Sequence, residues 1–390
     1  MIGVYVQETG RRVAPFDDPP GSLLIANRPL AQWRAEALAE AGLTPIEALE
    51  PPCLVIPDTL FASGEILRRF VAESAGRDAV LVLAESVFGR GTTPVQPHVT
   101  ETEQGWRFEQ IRFISGRDEA ATDVVVDPEE HVHQLDLPEI FGGTTELGLP
   151  RHPVMTLHHW VHLVWANQAA ISMTVRRTPL YQAIPRVLWA ILRARSLDPW
   201  RIQGKLNQIG RGCDIHPTAT VEASVLGDNV TVGPYARVWL STLGDGARVL
   251  SGAEVEISSV GPKATVGQRT GLRLCVVYPE AFTSQVLMQA CVVGRRTITV
   301  PGSYAIDLNF DRDVRVMLDG VLHSTGSRFL GSAFGHDCRI GTGLWLASGR
   351  SVPNGTWMVR HPEAVIQRIG SFEPGTPVVN VGGTLQPLEP

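Results

Sequence analysis

No window of about 18 consecutive apolar residues, the length a helix needs to cross a bilayer, occurs in this 390-residue sequence, so no membrane span is expected. The apolar run at its start, Met1 to Gln7, is too short for a signal peptide. Cysteine is scarce and scattered. Cys53, Cys213, Cys275, Cys291 and Cys338 form no CxxC pair, which removes the usual zinc motifs, and their odd number and wide spacing suit reduced thiols in a cytoplasmic protein. An excess of positive charge is absent too: the net charge is -6, which gives no support for a general nucleic-acid surface built on clustered Lys and Arg. Nor is there a low-complexity tail, because the 38 glycines and 28 prolines are spread over corners and loops.

What the chain does have is a repeat. From Ile209 to Gly267, apolar residues recur at Ile209, Ile215, Val221, Leu226, Val232, Val238, Leu243, Val249, Val255, Val260 and Val266, in steps of six, six and five, so that seventeen residues make one coil. Small residues such as Cys213, Ala219, Ala236, Ala247 and Ala253 recur four positions later, and Gly, often beside Asp, Pro or Asn, fills the corners. Neither a helical period nor strict alternation produces this spacing. It is the mark of a hexapeptide β-helix, in which each coil is a triangle of three short strands. A second block keeps the step of six through Phe334, Ile340, Leu346, Val352 and Met358 and reads as the last coils of the same solenoid. A β-sandwich with evenly spaced turns is set aside, since chance would have to place the fixed step twice.

The first third reads differently. Ile2 to Val6, Leu54 to Ile56 and Ala79 to Leu83 are short buried strands, and helices are predicted over Asn27 to Ala41, stopped by Gly42, and over Gly64 to Glu73. Strands alternating with helices argue for a parallel α/β layer, whose ligands bind at the carboxyl ends of the strands. The loop after Val6 and Asp58 after Ile56 are therefore the places to look.

Ala26-Asn27-Arg28-Pro29-Leu30, the helix ending in Glu40-Ala41-Gly42-Leu43, the stretch Val55 to Phe61, and Trp160 to Ile171 with Ala166-Asn167 together resemble the sugar-1-phosphate nucleotidylyltransferases. That resemblance covers most of the chain, with Ala84 to Pro153 matching only loosely. It implies a reduced α/β nucleotidylyltransferase-like domain followed by a left-handed parallel β-helix that assembles as a trimer. It also implies that Asp58 stands where the family holds its catalytic magnesium. On the residues alone, Asp58 is either a remnant metal ligand or the cap of the turn toward the helix at Gly64, and the structural role is preferred.

The departures bear on activity. The family wraps nucleotide phosphates with a Gly-x-Gly-Thr-Arg loop and offsets their charge with a lysine; this sequence matches at Gly10, Arg12, Pro15 and Phe16 but places Glu8, Arg11 and Pro20 at the first glycine, the threonine and the lysine. A carboxylate beside a triphosphate repels it. The family's second metal-binding Asp would fall near Met155, so magnesium-assisted nucleotidylyl transfer loses its clamp. Arg11 and Arg12 remain candidates for a phosphate, or form a solvated surface.

Two helices, His158 to Met173 and Tyr181 to Arg195, are expected to cover the open end of the β-helix or to join subunits. The histidines His152, His158, His159 and His162 invite a metal reading, but no carboxylate sits at ligand spacing, so packing is preferred. The basic run Arg193 to Arg201 is too short, and too broken by Asp198 and Pro199, to meet a membrane surface. The segment from Gln268 to Ser332 is read as an insertion with a β-hairpin at Asp319-Gly320, and it collects Asp307, Asn309, Asp311, Asp313 and His323.

As the resemblance implies, acyl transfer by such a β-helix uses acyl-CoA and a histidine base acting on a sugar hydroxyl or amine. His323 and His336 are the candidate bases, and Asn309, Asn354, Gly10, Arg11, Arg12 and Asp58 the candidate binding residues. The resulting division is residues 1–150, an α/β head; 151–206, joining helices; 207–370, the β-helix with its insertion at 268–332; and 371–390, a tail. The expected function is a transferase acting on a sugar or sugar nucleotide. A non-catalytic trimeric scaffold or sugar-nucleotide sensor, and a surviving nucleotidylyltransferase, are the alternatives.

Overall fold

Seventeen-residue spacing becomes strand stacking from Gln208 onward in the computed structural model, which describes residues 2–117, 119–136, 144–176, 180–195, 197, 198, 202, 205–284 and 287–388. Ile209 pairs in parallel with Leu226, Leu226 with Leu243, Leu243 with Val260, and Val260 with Val277. A second sheet runs through Ile215, Val232, Val249 and Val266. A third runs through Val221, Val238, Val255 and Leu272. Each of the first five coils gives one short parallel strand to each of three stacked sheets, and the later coils extend two of them, an arrangement compatible with a β-helix. Leu226, Leu243 and Val260 are buried, whereas Ile209 is 47% exposed because it belongs to the first coil, which has a neighbour on one side only.

The expected interruption from Gln268 to Ser332 is corrected by the ladder itself. Leu272 pairs with Met288, Val277 with Val293 and Thr283 with Thr299, so the stack carries on in coils one residue shorter. Thr283 and Thr299 fill interior positions, fully buried, and a hydroxyl where a methyl is expected hides the step. The chain leaves the stack only after Tyr304–Ala305, and Val293 then pairs with Phe334. Within that shorter excursion lies the predicted hairpin, Arg315–Leu318 with Val321–Ser324, turned by Asp319 (φ 50°) and Gly320 (φ 81°).

In the head, β1 (Gly3–Gln7) lies between β2 (Thr44–Ile46) and β3 (Cys53–Pro57), parallel to both. Helix α1 (Leu30–Ala41) buries Leu30, Trp33, Ala37 and Leu38, the face its periodicity predicts, and stops at Gly42 with φ 70°. Strand β4 (Leu60–Ala62) leads to α2 (Gly64–Glu73), and β5 (Ala79–Ala84) to α3 (Val87–Thr92). The sheet is not all parallel. After β6 (Val99–Thr102) the chain reverses into β7 (Gly105–Ile114), which inserts antiparallel between β3 and β5, and β8 (Thr122–Val126) closes the edge. A hairpin of β9 (Glu130–Asp136) and β10 (Thr144–Pro150) precedes β11 (Val154–Thr156), which pairs with β4.

Helix α4 (Trp160–Arg176) does not cover the end of the stack. It is packed between the head and the side of the first sheet, so that Ile25, Trp160, Val276 and Val292 belong to one buried cluster. Asn167 fastens the three parts: its Oδ1 accepts from Ala26 N (2.7 Å) and Ser259 Oγ (2.8 Å) while its amide donates to Leu163 O (2.8 Å). Helix α5 (Leu180–Ala194) follows.

Candidate functional site

Where β1 and β3 end, the chain has to satisfy the backbone of a tight loop, and Asp58 does most of that work. Asp58 N donates to Gln7 O (2.9 Å), and its carboxylate Oδ1 accepts from Thr9 N (3.2 Å) and Thr9 Oγ1 (2.6 Å). Thr9 Oγ1 in turn accepts from Arg11 N (3.3 Å), with Gly10 at φ 64° making the bend. Arg34, on α1, donates to Asp58 O (2.5 Å). Asp58 therefore staples the loop after β1, and the cap it was expected to supply to α2 is made by Ser63 Oγ, which accepts from Ile66 N (3.4 Å).

The amides of Thr9 and Arg11 are thus turned to acceptors inside the loop and away from any phosphate. Magnesium fits poorly as well. One carboxylate oxygen of Asp58 is taken by Thr9, the second position holds Met155, buried against Phe61, and no group of three His, Cys, Asp or Glu side chains among the described residues is placed to hold a metal.

Arg11 and Arg12 diverge. Arg11 donates through Nε to His158 O (3.3 Å) and through Nη1 to Asp319 Oδ2 (2.8 Å), whereas the exposed Arg12 donates to Asp17 O (2.8 Å). The inserted hairpin of the solenoid is therefore laid over the mouth of the head, with Val314, Val316 and Leu318 buried in the core they share with it. His323 stands on the outer strand of that hairpin, exposed.

Beneath Arg11 lie three buried histidines that serve the start of α4. His162 Nδ1 accepts from the backbone N–H of His158 (3.0 Å) and His159 (3.1 Å), and its Nε2 is 3.3 Å from Pro94 O, which fixes the neutral tautomer with the proton on Nε2. His159 Nδ1 accepts from Val161 N (3.2 Å). Burial lowers all three imidazoles to about 3, with neighbouring histidines and the Arg11 cation adding to it. The packing role foreseen for them is thus a capping role, although His158 Nε2 is buried without a partner.

A second cluster sits where the loop at Phe16 docks on the solenoid. Arg295 grips Asp18 with Nη1 to Oδ1 (3.1 Å) and Nη2 to Oδ2 (2.9 Å). His336 Nδ1 accepts from Arg295 N (2.8 Å) and its Nε2 lies 3.3 Å from Asp18 Oδ2. Asn354 accepts from His336 N (2.7 Å) and donates to Phe16 O (2.9 Å). The Phe16 ring stacks on Tyr278 at 5.4 Å and leans on His336 at 5.1 Å. Burial by itself raises the Asp18 carboxyl, but hydrogen bonds from His336 and Arg295, reinforced by their charges, outweigh it and hold the group below its usual range. With both ring nitrogens engaged and the side chain 9% exposed, His336 has no nitrogen facing a substrate, and Asn354 is a strut of the same junction.

The polar residues of the excursion do not converge. Asn309 meets Ser348 (3.5 Å), Asp307 meets Gln289 (2.5 Å) and Asp313 meets Ser324 (3.2 Å). Sequence reasoning missed Asp18, Arg295 and Tyr278, whose partners lie hundreds of positions away, and Arg34, whose neighbours give no sign of its bond to the strand end.

Two open volumes lie elsewhere. One of about 290 Å³ separates Asn27 and Arg28 from the solenoid corners Gly227, Gly244 and Pro262, and one of about 160 Å³ is enclosed by Phe88, Leu149 and Trp165. The larger is lined by Arg28 and Asp245 and neither is lined by a histidine, whereas the exposed His323 shares a hairpin with Asp319, the partner of Arg11. Comparison with family models and with curated proteins finds no match.

Proposed function

We propose that the chain is a transferase acting on a sugar or sugar nucleotide, a nucleotidylyltransferase-like head joined to a left-handed hexapeptide β-helix, and that the β-helix carries out acyl transfer from acyl-CoA. His323 is the base: it takes the proton from a sugar hydroxyl or amine as that atom attacks the thioester carbonyl, and the CoA thiolate leaves. The observation that carries this reading is the landing of the excursion: its turn residue Asp319 is paired with Arg11 (2.8 Å), while His323 on the same hairpin stays exposed, and displacement of Asp319 would offer the Arg11 cation to a phosphorylated sugar. Assembly as a trimer in the cytoplasm belongs to the same proposal, and the exposed Tyr235, Trp345 and Trp357 on the flanks of the stack are the surfaces it would cover.

A second reading, a non-catalytic scaffold or sugar-nucleotide sensor, is favoured by one feature: the hairpin side chains Val316 and Leu318 are buried against the head whose mouth they cover. Thermal unfolding separates the two. Stabilisation by acetyl-CoA and by a UDP-sugar supports transfer, because a ligand that binds only the native state raises its stability. A UDP-sugar shift without one for acetyl-CoA supports the sensor, and a shift with nucleoside triphosphate that needs magnesium and is lost in Asp58→Ala would overturn both.

A further inference from the structure

Helix α5 presents to the outside an apolar strip that neither the fold nor the proposed transfer uses. Leu188, Trp189 and Leu192 are 62%, 60% and 64% exposed, while Ala190 on the opposite side is 1% exposed. At about 100° per residue, Leu188, Leu192 and Trp189 lie side by side on the outer arc, bordered by Arg193, and Arg195 follows just past the helix end.

Along the sequence leading into and through this strip the charge has one sign. Between Glu146 and Asp198 the sequence contains no carboxylate side chain, and Arg151, Arg176, Arg177, Arg186, Arg193 and Arg195 fall in that stretch, although the whole chain carries -6. The helix ends at Ala194, before Asp198 and Pro199, so the break that discounts the run Arg193 to Arg201 lies outside the strip. At 15 residues α5 is too short to cross a bilayer, and no helix among the described residues is long and apolar enough to do so.

A contact between two copies of the strip gains no charge complementarity, because neither α5 nor the segment before it offers a carboxylate to Arg193 and Arg195. A lipid surface of opposite charge supplies that complementarity: Trp and Leu enter the headgroup boundary and the flanking guanidinium groups reach lipid phosphate. We infer that α5 anchors this protein to an anionic phospholipid surface, lying flat at headgroup level.

The test is flotation of the full chain with vesicles of phosphatidylcholine alone and of phosphatidylcholine mixed with phosphatidylglycerol, with thermal unfolding of each variant as the check on folding. The protein should float with the anionic vesicles and stay below the neutral ones, and added salt should weaken binding. The triple change Leu188→Ser, Trp189→Ser, Leu192→Ser should lower binding about tenfold or more. The pair Arg193→Gln, Arg195→Gln, which leaves the apolar strip intact, should lower it too and flatten the salt dependence. Failure of the wild type to float with either vesicle overturns the inference, as does undiminished binding in the folded variants. Self-association through the strip without lipid, abolished in the triple variant, would assign it to a second copy and overturn the inference equally.

Discussion

The solenoid and the head solve the same problem with opposite kinds of order. In the solenoid each buried side chain answers to a neighbour one coil away, as Leu243 does to Leu226 and Val260, so the fold is a chain of near-identical local contacts. In the head, neighbours come from everywhere: Asp58 holds Thr9, β7 slots between β3 and β5, and Asp18 binds Arg295 277 positions away. Periodic order spreads a defect over adjacent coils, whereas irregular order concentrates function, and strain when disturbed, at single residues.

The sharpest way to break that comparison is a cavity in each half. Trp33→Ala in the head, where the indole is 1% exposed and its N–H donates to Ile25 O (2.9 Å), should cost about 3–5 kcal/mol. Leu243→Ala in the column should cost about 2–5 kcal/mol. Urea unfolding gives the two losses, and hydrogen exchange gives their reach: faster exchange over the whole head sheet for the first, and over the flanking coils for the second.

Acid should act on the head first. His158, His159 and His162 stay neutral in the fold down to about 3 but take a proton near 6.5 once unfolded, so their contribution is complete above pH 6.5 and declines as the pH falls toward 3. Each adds a slope approaching about 1.4 kcal/mol per pH unit in that window. His162→Gln should cut the slope, read from urea midpoints between pH 7 and pH 5; an unchanged slope would mean that the imidazoles do not titrate as their burial requires.

The junction comes next. Asp18 is held below its ordinary carboxylate range, so its contribution is present above that range and is lost as the pH drops through the folded value. Asp18→Asn should cost about 1–3 kcal/mol at neutral pH, discounted because the Arg295 side chain is 30% exposed, and the difference from wild type should shrink in acid. The smallest effect on stability belongs to Arg11→Ala, within about 1 kcal/mol, since Asp319 is largely exposed; binding of a UDP-sugar should nevertheless weaken about tenfold or more.

What the sequence made legible follows the same division. The column through Ile209, Leu226, Leu243 and Val260 could be read because a stack writes its period into the chain, and α1 and α2 because caps and apolar faces are local signals. The stack beyond Gln268 was hidden by Thr283 and Thr299, which fill core positions with polar side chains, and β7 by a pairing that no local pattern encodes. Of the candidate site, Asp58 and Arg11 could be singled out from the loops at the strand ends, but not their bonds to Thr9 and Asp319. His336 looked free in the sequence because its partner Asp18 belongs to another part of the chain, and only the fold reveals that both its nitrogens are engaged.

The proposed division of labour between the two histidines can be measured in one assay: release of free CoA thiol from acetyl-CoA in the presence of a UDP-amino sugar, for the wild type, His323→Ala and His336→Gln. Thiol release by the wild type and by folded His336→Gln, with none from folded His323→Ala, is the predicted result. Full activity in His323→Ala, or no release by the wild type with any sugar acceptor tested, would contradict it.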